Sequence, residues 1–157
     1  YRAYAFGRPP HAAGVIEAPI GRADDDPHRR IVRADGAAAH TYYEVAREYG
    51  CGASALDIRL GTGRTHQIRV HALHIGCPLI GDDYYDAEPW RSLAWARTLS
   101  GAVGRQALHA IRLTFPHPVT RETMTLEAAL PPDLRRLERA LAYMPPHEQP
   151  NGKDIRP

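Results

Sequence analysis

The stretch GTGRTHQIRVHALHIGCPLIGD, from Gly61 to Asp82, constrains the structure of this 157-residue chain more closely than any other part of it. It follows the segment ALDIRL (55–60), in which apolar and polar residues alternate. Such alternation predicts a strand with one buried face. Gly61 and Gly63 are expected to end that strand and to turn the chain.

A short helix is predicted after the turn, running to about Ile75. Thr65 is placed as its N-cap, because a hydroxyl can accept a hydrogen bond from a free amide of the first turn. Ile68, Ala72 and Ile75 follow the i, i+4, i+7 spacing of a buried stripe. Gly76 suits a left-handed C-terminal cap, and the proline two positions later prevents continuation.

The charge pattern of the stretch is unusual. No Asp or Glu occurs from Ile58 to Leu79, whereas Arg59, Arg64 and Arg69 recur five residues apart. Three explanations compete: a metal site, an anion-binding surface, or a catalytic pocket whose negative partner lies elsewhere.

A metal site has the weakest support. His71, His74 and Cys77 are three residues apart, and zinc accepts both nitrogen and sulfur ligands. However, the predicted helix ends before Cys77, and no CxxC motif, HxxEH motif or acidic ligand accompanies the three residues. No metal is therefore expected.

An anion-binding surface is better supported. Arg64 lies at the predicted start of the helix, where free amides and the helix dipole favour negative groups. Alternatively, the three arginines simply coat a solvated face. The lack of nearby acids argues against that alternative but does not exclude it.

The composition indicates one soluble globular domain, 43% hydrophobic, with no apolar run near the roughly 20 residues that a membrane helix needs. Two cysteines suit a reducing cytosol, and a monomer is favoured.

The net charge of +2 says little about nucleic acid, and only Lys153 among the 20 Lys and Arg residues is lysine. The arginine excess reflects either codon bias or phosphate binding. The opening YRAYAFG has no Met or signal-peptide layout and is predicted as a strand.

The rest of the chain predicts an α+β domain with a mixed, mostly antiparallel sheet flanked by short helices. Extended segments are predicted in 1–20, at 31–34 and at 40–48, and LHAIRLTF (108–115) with TMTLEAAL (123–130) predicts a hairpin. Asp133 is expected to cap a last helix with Leu134, Leu137 and Leu141 facing the core. Residues 87–104 are expected to form a polar excursion with a short helix around SLAWART.

The tryptophans of that excursion allow two interpretations. Trp90 and Trp95 either stack on nucleic-acid bases or pack the loop onto the domain. The sequence leaves both open.

The stretch 61–82 closely resembles the signature of the RluA-type RNA pseudouridine synthases, and the match continues through Tyr84 and Tyr85. GVIEAPIGR (14–22), AAAHTYYEV (37–45) and the hairpin region 105–134 are also similar to that family. The resemblance covers nearly all of residues 1–142 except the excursion. It implies a pseudouridine-synthase-like fold for 1–142, and a disordered tail is expected at 143–157.

The resemblance implies an enzyme that converts uridine in ribosomal or transfer RNA to its C-glycoside isomer, in the cytoplasm and without a metal or organic cofactor. In this family an aspartate attacks the nucleoside. The resemblance implies that Arg69 pairs with that aspartate, that Ile68 lines the uracil pocket and that Tyr1 stacks on the base. Arg64 and Arg59 are expected to contact RNA phosphates.

One departure from the family pattern affects these expectations. The chain has no HRLD motif, and Asp82 falls at the family's GD position, where a turn or structural role is expected. The nucleophile, and with it the counter-charge of Arg69, is therefore expected before Tyr1, which makes the chain the C-terminal portion of a catalytic domain that is inactive alone. A catalytically silent RNA-binding module is the alternative.

Overall fold

The computed structural model of the chain describes residues 1–147. Of the tail that is predicted to be disordered, 143–157, Tyr143 is the last residue of a helix, and residues 148–157 lie outside this range. Within it the elements are β1 (Arg2–Phe6), β2 (Ala13–Glu17), β3 (Ile20–Arg22), β4 (Arg30–Val32), β5 (His40–Glu48), β6 (Ala53–Leu60), α1 (Gln67–His74), α2 (Glu88–Arg91), α3 (Ala94–Val103), β7 (Leu108–His109), β8 (Arg112–Pro116), β9 (Thr123–Glu127) and α4 (Pro132–Tyr143).

A five-stranded sheet forms the centre of the fold. Its strand order is β2-β5-β6-β1-β7, and every neighbouring pair is antiparallel. Two further antiparallel pairs, β3-β4 and β8-β9, stand apart from it. The predicted mixed α+β class with a mostly antiparallel sheet is thus confirmed, and so is the hairpin, whose first segment also supplies β7.

Helix α1 covers one face of the central sheet. The predicted stripe is confirmed: Ile68 and Ala72 are buried in a cluster with Leu56 and Ile58 of β6, and Ile75 packs against that cluster. Alternation along β6 places Asp57 and Arg59 on the opposite face. On that opposite face, Tyr4, Phe6, Ala53 and Ala55 lie in a second buried cluster that includes Leu134 and Leu137 of α4. The part around Asp57 and Arg59 is not covered in this way and is called the open face below.

Helix α1 begins later than predicted, at Gln67, and the assignment of Thr65 as N-cap is wrong. The cap position is His66, in the left-handed region at φ 57°, with no side-chain capping bond. At the other end the prediction is confirmed, because Gly76 has φ 75°. The amides of Gly76 and Cys77 donate to Leu73 and Ala72, each at 2.9 Å, in a Schellman arrangement.

Helix α4 buries Leu134, Leu137 and Leu141 as predicted, but Asp133 is not its cap. The N-cap position is Pro131, and the Asp133 carboxylate instead accepts a 2.8 Å hydrogen bond from Nε of Arg105. The long-range ion pair thus uses the carboxylate that the local prediction had assigned to the helix end.

The excursion at 87–104 is less polar in its contacts than its composition indicated. Trp90 is 1% exposed and stacks on Phe6, with ring centroids 5.2 Å apart. Trp95 packs edge-on against Phe6 and stacks on His147. Both tryptophans therefore pack the excursion onto the domain, and burial leaves Trp90 no face for a nucleic-acid base.

None of the helices described between residues 1 and 147 is long and apolar enough to cross a membrane.

Candidate active site

Four of the five residues that the sequence singled out line one cleft. Tyr1, Arg64, Ile68 and Arg69 surround a cavity of about 300 Å³, closed on other sides by residues that include Leu60 and Leu108. Their convergence follows from the fold. Helix α1 starts where β6 ends, and the start of β1 lies beside β6 because Ile58 donates its amide to the Tyr1 carbonyl at 2.9 Å.

Arg69 is held by Asp82 through two hydrogen bonds. Its Nε donates to Oδ2 at 2.7 Å and its Nη2 donates to Oδ1 at 2.6 Å. The Asp82 side chain is fully buried and that of Arg69 is 16% exposed. The expectation that the counter-charge of Arg69 lies outside the chain is therefore wrong, because the turn after α1 returns Asp82 to the helix.

The pairing with Asp82 uses Nε and Nη2 of Arg69 and leaves Nη1 available for a further hydrogen bond. Among the described residues no acceptor bonds to Nη1, and the guanidinium carbon lies 4.6 Å from the centroid of the Tyr85 ring. The hydrogen bonds that Arg69 donates to Asp82 raise the pKa of Arg69. Arg69 is thus a fixed cation with a free N–H group, suited to an oxygen of a carboxylate or phosphate.

Tyr85 and His66 form a second hydrogen-bonded pair behind Arg69. The Tyr85 hydroxyl lies 2.7 Å from Nδ1 of His66 and accepts a 2.9 Å bond from the backbone amide of Arg30. Burial, with the charges of Arg69 and Arg30, lowers the pKa of His66, and burial raises the pKa of Tyr85. We therefore assign the hydroxyl proton to a bond from Tyr85 to a neutral His66.

Tyr84 ties the same region to the β3-β4 loop. Its hydroxyl donates to Asp26, and this hydrogen bond raises the pKa of Tyr84 to about 12. Together with the bond from Arg30 to Tyr85, it anchors the acidic loop against the two tyrosines that follow Asp82. These two hydrogen bonds fix Tyr84 and Tyr85 against Asp26 and Arg30.

Gln67 fixes the glycine turn that carries Arg64. Its side chain accepts bonds from the Thr62 hydroxyl and the Arg64 amide, both at 2.9 Å, and donates to the His40 carbonyl and the Thr41 hydroxyl. Gln67 is 2% exposed, so these four bonds satisfy a buried amide. The turn is therefore built into the sheet rather than left to solvent.

His71 has a structural role. It is fully buried, with Nδ1 2.8 Å from the Thr41 hydroxyl and Nε2 2.9 Å from the Ala18 carbonyl oxygen. Both ring nitrogens are therefore occupied. Across residues 1–147, no group of three or more His, Cys, Asp or Glu side chains is arranged to hold a metal.

Arg64 and Arg59 lie in different places. Arg64 is exposed at the rim of the cleft, where its Nε donates to the Ala38 carbonyl at 3.1 Å. Arg59 lies on the open face of the sheet, over the ring of Tyr42. Tyr1 lines both the cleft and the cavity that contains Arg59, and so stands between them.

The cleft offers no carboxylate that could act as nucleophile. No Asp or Glu belongs to its lining in the part of the chain that the structure describes. Both oxygens of the buried Asp82 are bonded, Oδ1 also accepting the amides of Tyr84 and Tyr85 at 3.3 and 3.2 Å. Asp57, on the open face, accepts two bonds from Arg2. The expected structural role of Asp82 agrees with these contacts.

The sequence did not reveal Tyr85 and Gln67 as parts of the site, nor the pairing of Asp82 with Arg69. A signal for Asp82 existed, since an aspartate after a glycine commonly bonds to the amides two and three residues later. Its pairing with Arg69, thirteen residues away, depends on the path of the chain after α1. The spacing of residues along the sequence does not predict that path.

Comparison with known proteins shows similarity to RNA pseudouridine synthases. Residues 1–74 match the family model described as RNA pseudouridylate synthase. An uncharacterised RNA pseudouridine synthase from Chloroflexus aurantiacus is 42% identical over 141 residues, which cover 90% of this chain and 41% of the relative. Ribosomal large subunit pseudouridine synthase D from Xanthomonas campestris is 42% identical over 133 residues, covering 83% of this chain and 40% of the relative.

Solved structures show the same fold. The human protein RNA pseudouridylate synthase domain containing 4 superimposes with a TM-score of 0.70 at 24% identity, covering 92% of this chain and 62% of that one. At that level of identity the likeness concerns the fold. The chain spans about two fifths of the length of the curated relatives named above.

Proposed function

The chain belongs to the RNA pseudouridine synthase family, and we propose that it forms part of the catalytic domain of an enzyme that isomerises uridine to pseudouridine in RNA. The observation that supports this most directly is the convergence of Tyr1, Ile68 and Arg69 on one cleft. The family resemblance assigns these three residues to the base and the nucleophile. Geometry independent of that resemblance brings them together.

The reaction requires an ionised carboxylate at the nucleoside. In the isomerisation the bond from N1 to the ribose breaks, C5 bonds to the ribose in its place, C5 loses a proton and N1 gains one. An arginine within about 4 Å of the carboxylate favours its charged form. We propose that Nη1 of Arg69 has this role, with Asp82 as the positioning residue that directs it.

Tyr1 and Ile68 have complementary positions for the base. Both residues line the cleft, Tyr1 with 38% of its surface exposed and Ile68 with 5%. A uridine must leave its stack before its glycosidic bond is accessible. A half-exposed aromatic residue and a buried apolar residue in one cleft suit a uracil ring in that extruded state.

The nucleophile, in this proposal, belongs to a part of the polypeptide outside residues 1–157. The absence of a carboxylate from the described lining of the cleft supports it. The same observation favours the alternative, a catalytically silent RNA-binding module. The coding sequence upstream of Tyr1 separates the two: an in-frame HRLD-like motif supports the enzyme.

The substrate class and setting follow from chemistry and from the relatives. We propose ribosomal RNA ahead of transfer RNA, because the Xanthomonas relative carries a ribosomal large subunit name. No cofactor is needed, since the isomerisation involves no net oxidation or group transfer. The two buried free cysteines suit the reducing cytoplasm.

The experiment that tests the proposal compares arginines in the protein extended upstream of Tyr1. Tritium release from RNA containing 5-tritiated uridine measures turnover. Arg69→Ala is expected to lower kcat by about 100-fold or more, since an unpaired carboxylate loses ionisation and position. Arg59→Ala is expected to act mainly on KM, and Arg136→Ala on the exposed side of α4 is the control. Equal effects of Arg69→Ala and Arg136→Ala would refute the assigned role.

A further inference from the structure

A second cavity lies on the open face of the central sheet, with a volume of about 650 Å³. Its lining includes Tyr42 and Arg59, which belong to a row of paired residues on three adjacent strands. Val15 of β2 is paired with Tyr42 of β5, and Tyr42 with Arg59 of β6. Paired residues point to the same side of a sheet. The row therefore faces away from α1, which packs on Leu56 and Ile58.

Arg59 is stacked on the ring of Tyr42 within this row. The guanidinium carbon of Arg59 lies 4.0 Å from the centroid of the Tyr42 ring, and Tyr42 is 38% exposed. Val15, next in the row, is 44% exposed. An aromatic ring and a planar guanidinium are the two surfaces on which unstacked bases are commonly held.

The charges around the row favour a base over a phosphate at its centre. Arg59 has no carboxylate within 4.0 Å in residues 1–147, whereas Asp57 is paired with Arg2 and Arg112 with Glu127. Glu44 also lines the cavity. With Asp57 compensated by Arg2, Glu44 is the carboxylate of the lining that would repel a phosphate, whereas the amino groups of a base can donate to it.

Tyr1 connects this surface to the proposed reaction site, because it lines both cavities. When the target uracil of an RNA strand enters the cleft on one side of Tyr1, the neighbouring nucleotide of that RNA is brought to the other side of Tyr1. We propose that Tyr42 and Arg59 form a stacking platform for the base of an unpaired nucleotide next to the target uridine. This inference rests on the proposed function, since that function places the target beside Tyr1.

The first test measures binding of the 157-residue chain to a labelled seven-nucleotide RNA, one uridine with three cytidines on each side, by fluorescence anisotropy at low salt. Tyr42→Leu keeps an apolar side chain but removes the aromatic face, and binding is expected to weaken about tenfold. The control is Tyr143→Leu, at a residue 90% exposed on α4, which is expected to bind like the wild type. Equal affinities of the two variants, or no binding by folded wild type, would overturn the platform.

Arg59 offers a sharper distinction. Arg59→Lys keeps the charge and loses the planar guanidinium, so a stacking role predicts a loss of roughly fivefold or more. Arg136→Lys on α4 is the matched control, and circular dichroism checks that each variant is folded. Wild-type affinity in Arg59→Lys would show that Arg59 acts as a point charge, and the stacking proposal would be wrong.

An abasic nucleotide on one side of the uridine completes the test. One of the two possible abasic RNAs, 5′ or 3′, is expected to bind wild type about tenfold more weakly, and Tyr42→Leu is expected to lose nothing further on it. Equal losses from Tyr42→Leu on intact and abasic RNAs would overturn the platform. Pseudouridine formation by the extended protein is measured separately, so a platform without catalysis, or catalysis without a platform, identifies which proposal failed.

Discussion

Removing the charge of Asp82 is expected to destabilise the chain strongly, because Asp82 is the counter-ion of a largely buried arginine. In Asp82→Asn the side chain still has an oxygen for the amides of Tyr84 and Tyr85. Its NH2 group, however, replaces a carboxylate oxygen that accepts a bond from Arg69. The substitution therefore leaves the Arg69 charge uncompensated, with its side chain only 16% exposed.

The magnitude follows from this burial. Breaking a buried ion pair by removing one partner costs about 3–5 kcal/mol. The remaining exposure of Arg69 admits some water, which places the expected loss near the lower end, at roughly 3 kcal/mol. For a chain of this length each kcal/mol corresponds to about 2–4 °C, so the Tm is expected to fall by roughly 6–12 °C.

Urea unfolding monitored by circular dichroism measures the loss. Asp24→Asn is the control, because Asp24 pairs with Arg33 while 90% exposed, and such pairs contribute about 1 kcal/mol or less. Adding Arg69→Met to Asp82→Asn is expected to recover part of the stability, since the orphaned charge is then gone. If Asp82→Asn cost no more than Asp24→Asn, or if the loss in the double variant were the sum of the losses in the single ones, Asp82 would not be the stabilising counter-ion of Arg69.

Three further predictions concern pH, salt and metal. Burial lowers the pKa of His71 below its usual 6.5, so the unfolded chain binds its proton first. The stability that neutral His71 contributes is therefore fully present above pH 6.5. It falls as the pH decreases toward the folded pKa, by up to about 1.4 kcal/mol per pH unit. In urea melts, the dependence of the unfolding free energy on pH should differ between wild type and His71→Gln below pH 6.5 and not above it. RNA affinity should decrease with salt, and Arg64→Ala should reduce the slope of log K against log salt by about 0.7, the value for one phosphate contact on a single strand. Elemental analysis of purified, tag-free protein should find no stoichiometric zinc, because both ring nitrogens of His71 are engaged; a 1:1 zinc content would contradict this.

The strands and helix faces could be predicted because their signals are local. Alternation in ALDIRL identified β6, and the spacing of Ile68 and Ala72 identified the buried face of α1. The glycine at position 76 marked the end of that helix, since a left-handed residue at this point favours glycine.

The errors arose where distant residues override local preference. Asp133 was assigned to a helix cap, but Arg105 takes its carboxylate. The excursion containing Trp90 was expected to be polar, although stacking on Phe6 from β1 draws it into the core. In both cases the deciding partner lies far away in sequence.

The candidate site shows the same division. The resemblance pointed to Tyr1, Ile68 and Arg69, and the fold brings them to one cleft, although their roles in catalysis stay predictions. Asp82 was noticed as a turn residue, but its pairing with Arg69 was missed because an ion pair between a helix and the turn beyond it depends on tertiary geometry. Arg59 was grouped with Arg64 by spacing, yet strand alternation places it on the other face of the sheet.

Tritium release from RNA containing 5-tritiated uridine, measured side by side for the 157-residue chain and for the protein extended upstream of Tyr1, tests most directly whether the nucleophile lies in another segment. No release by the chain alone is expected, because Arg69 and Tyr1 can position and stack but neither supplies a carboxylate. The extended protein is predicted to release tritium without added metal or cofactor. Release by the 157-residue chain would show that one of its own aspartates is the nucleophile, and the assignment of the nucleophile to another segment would be contradicted.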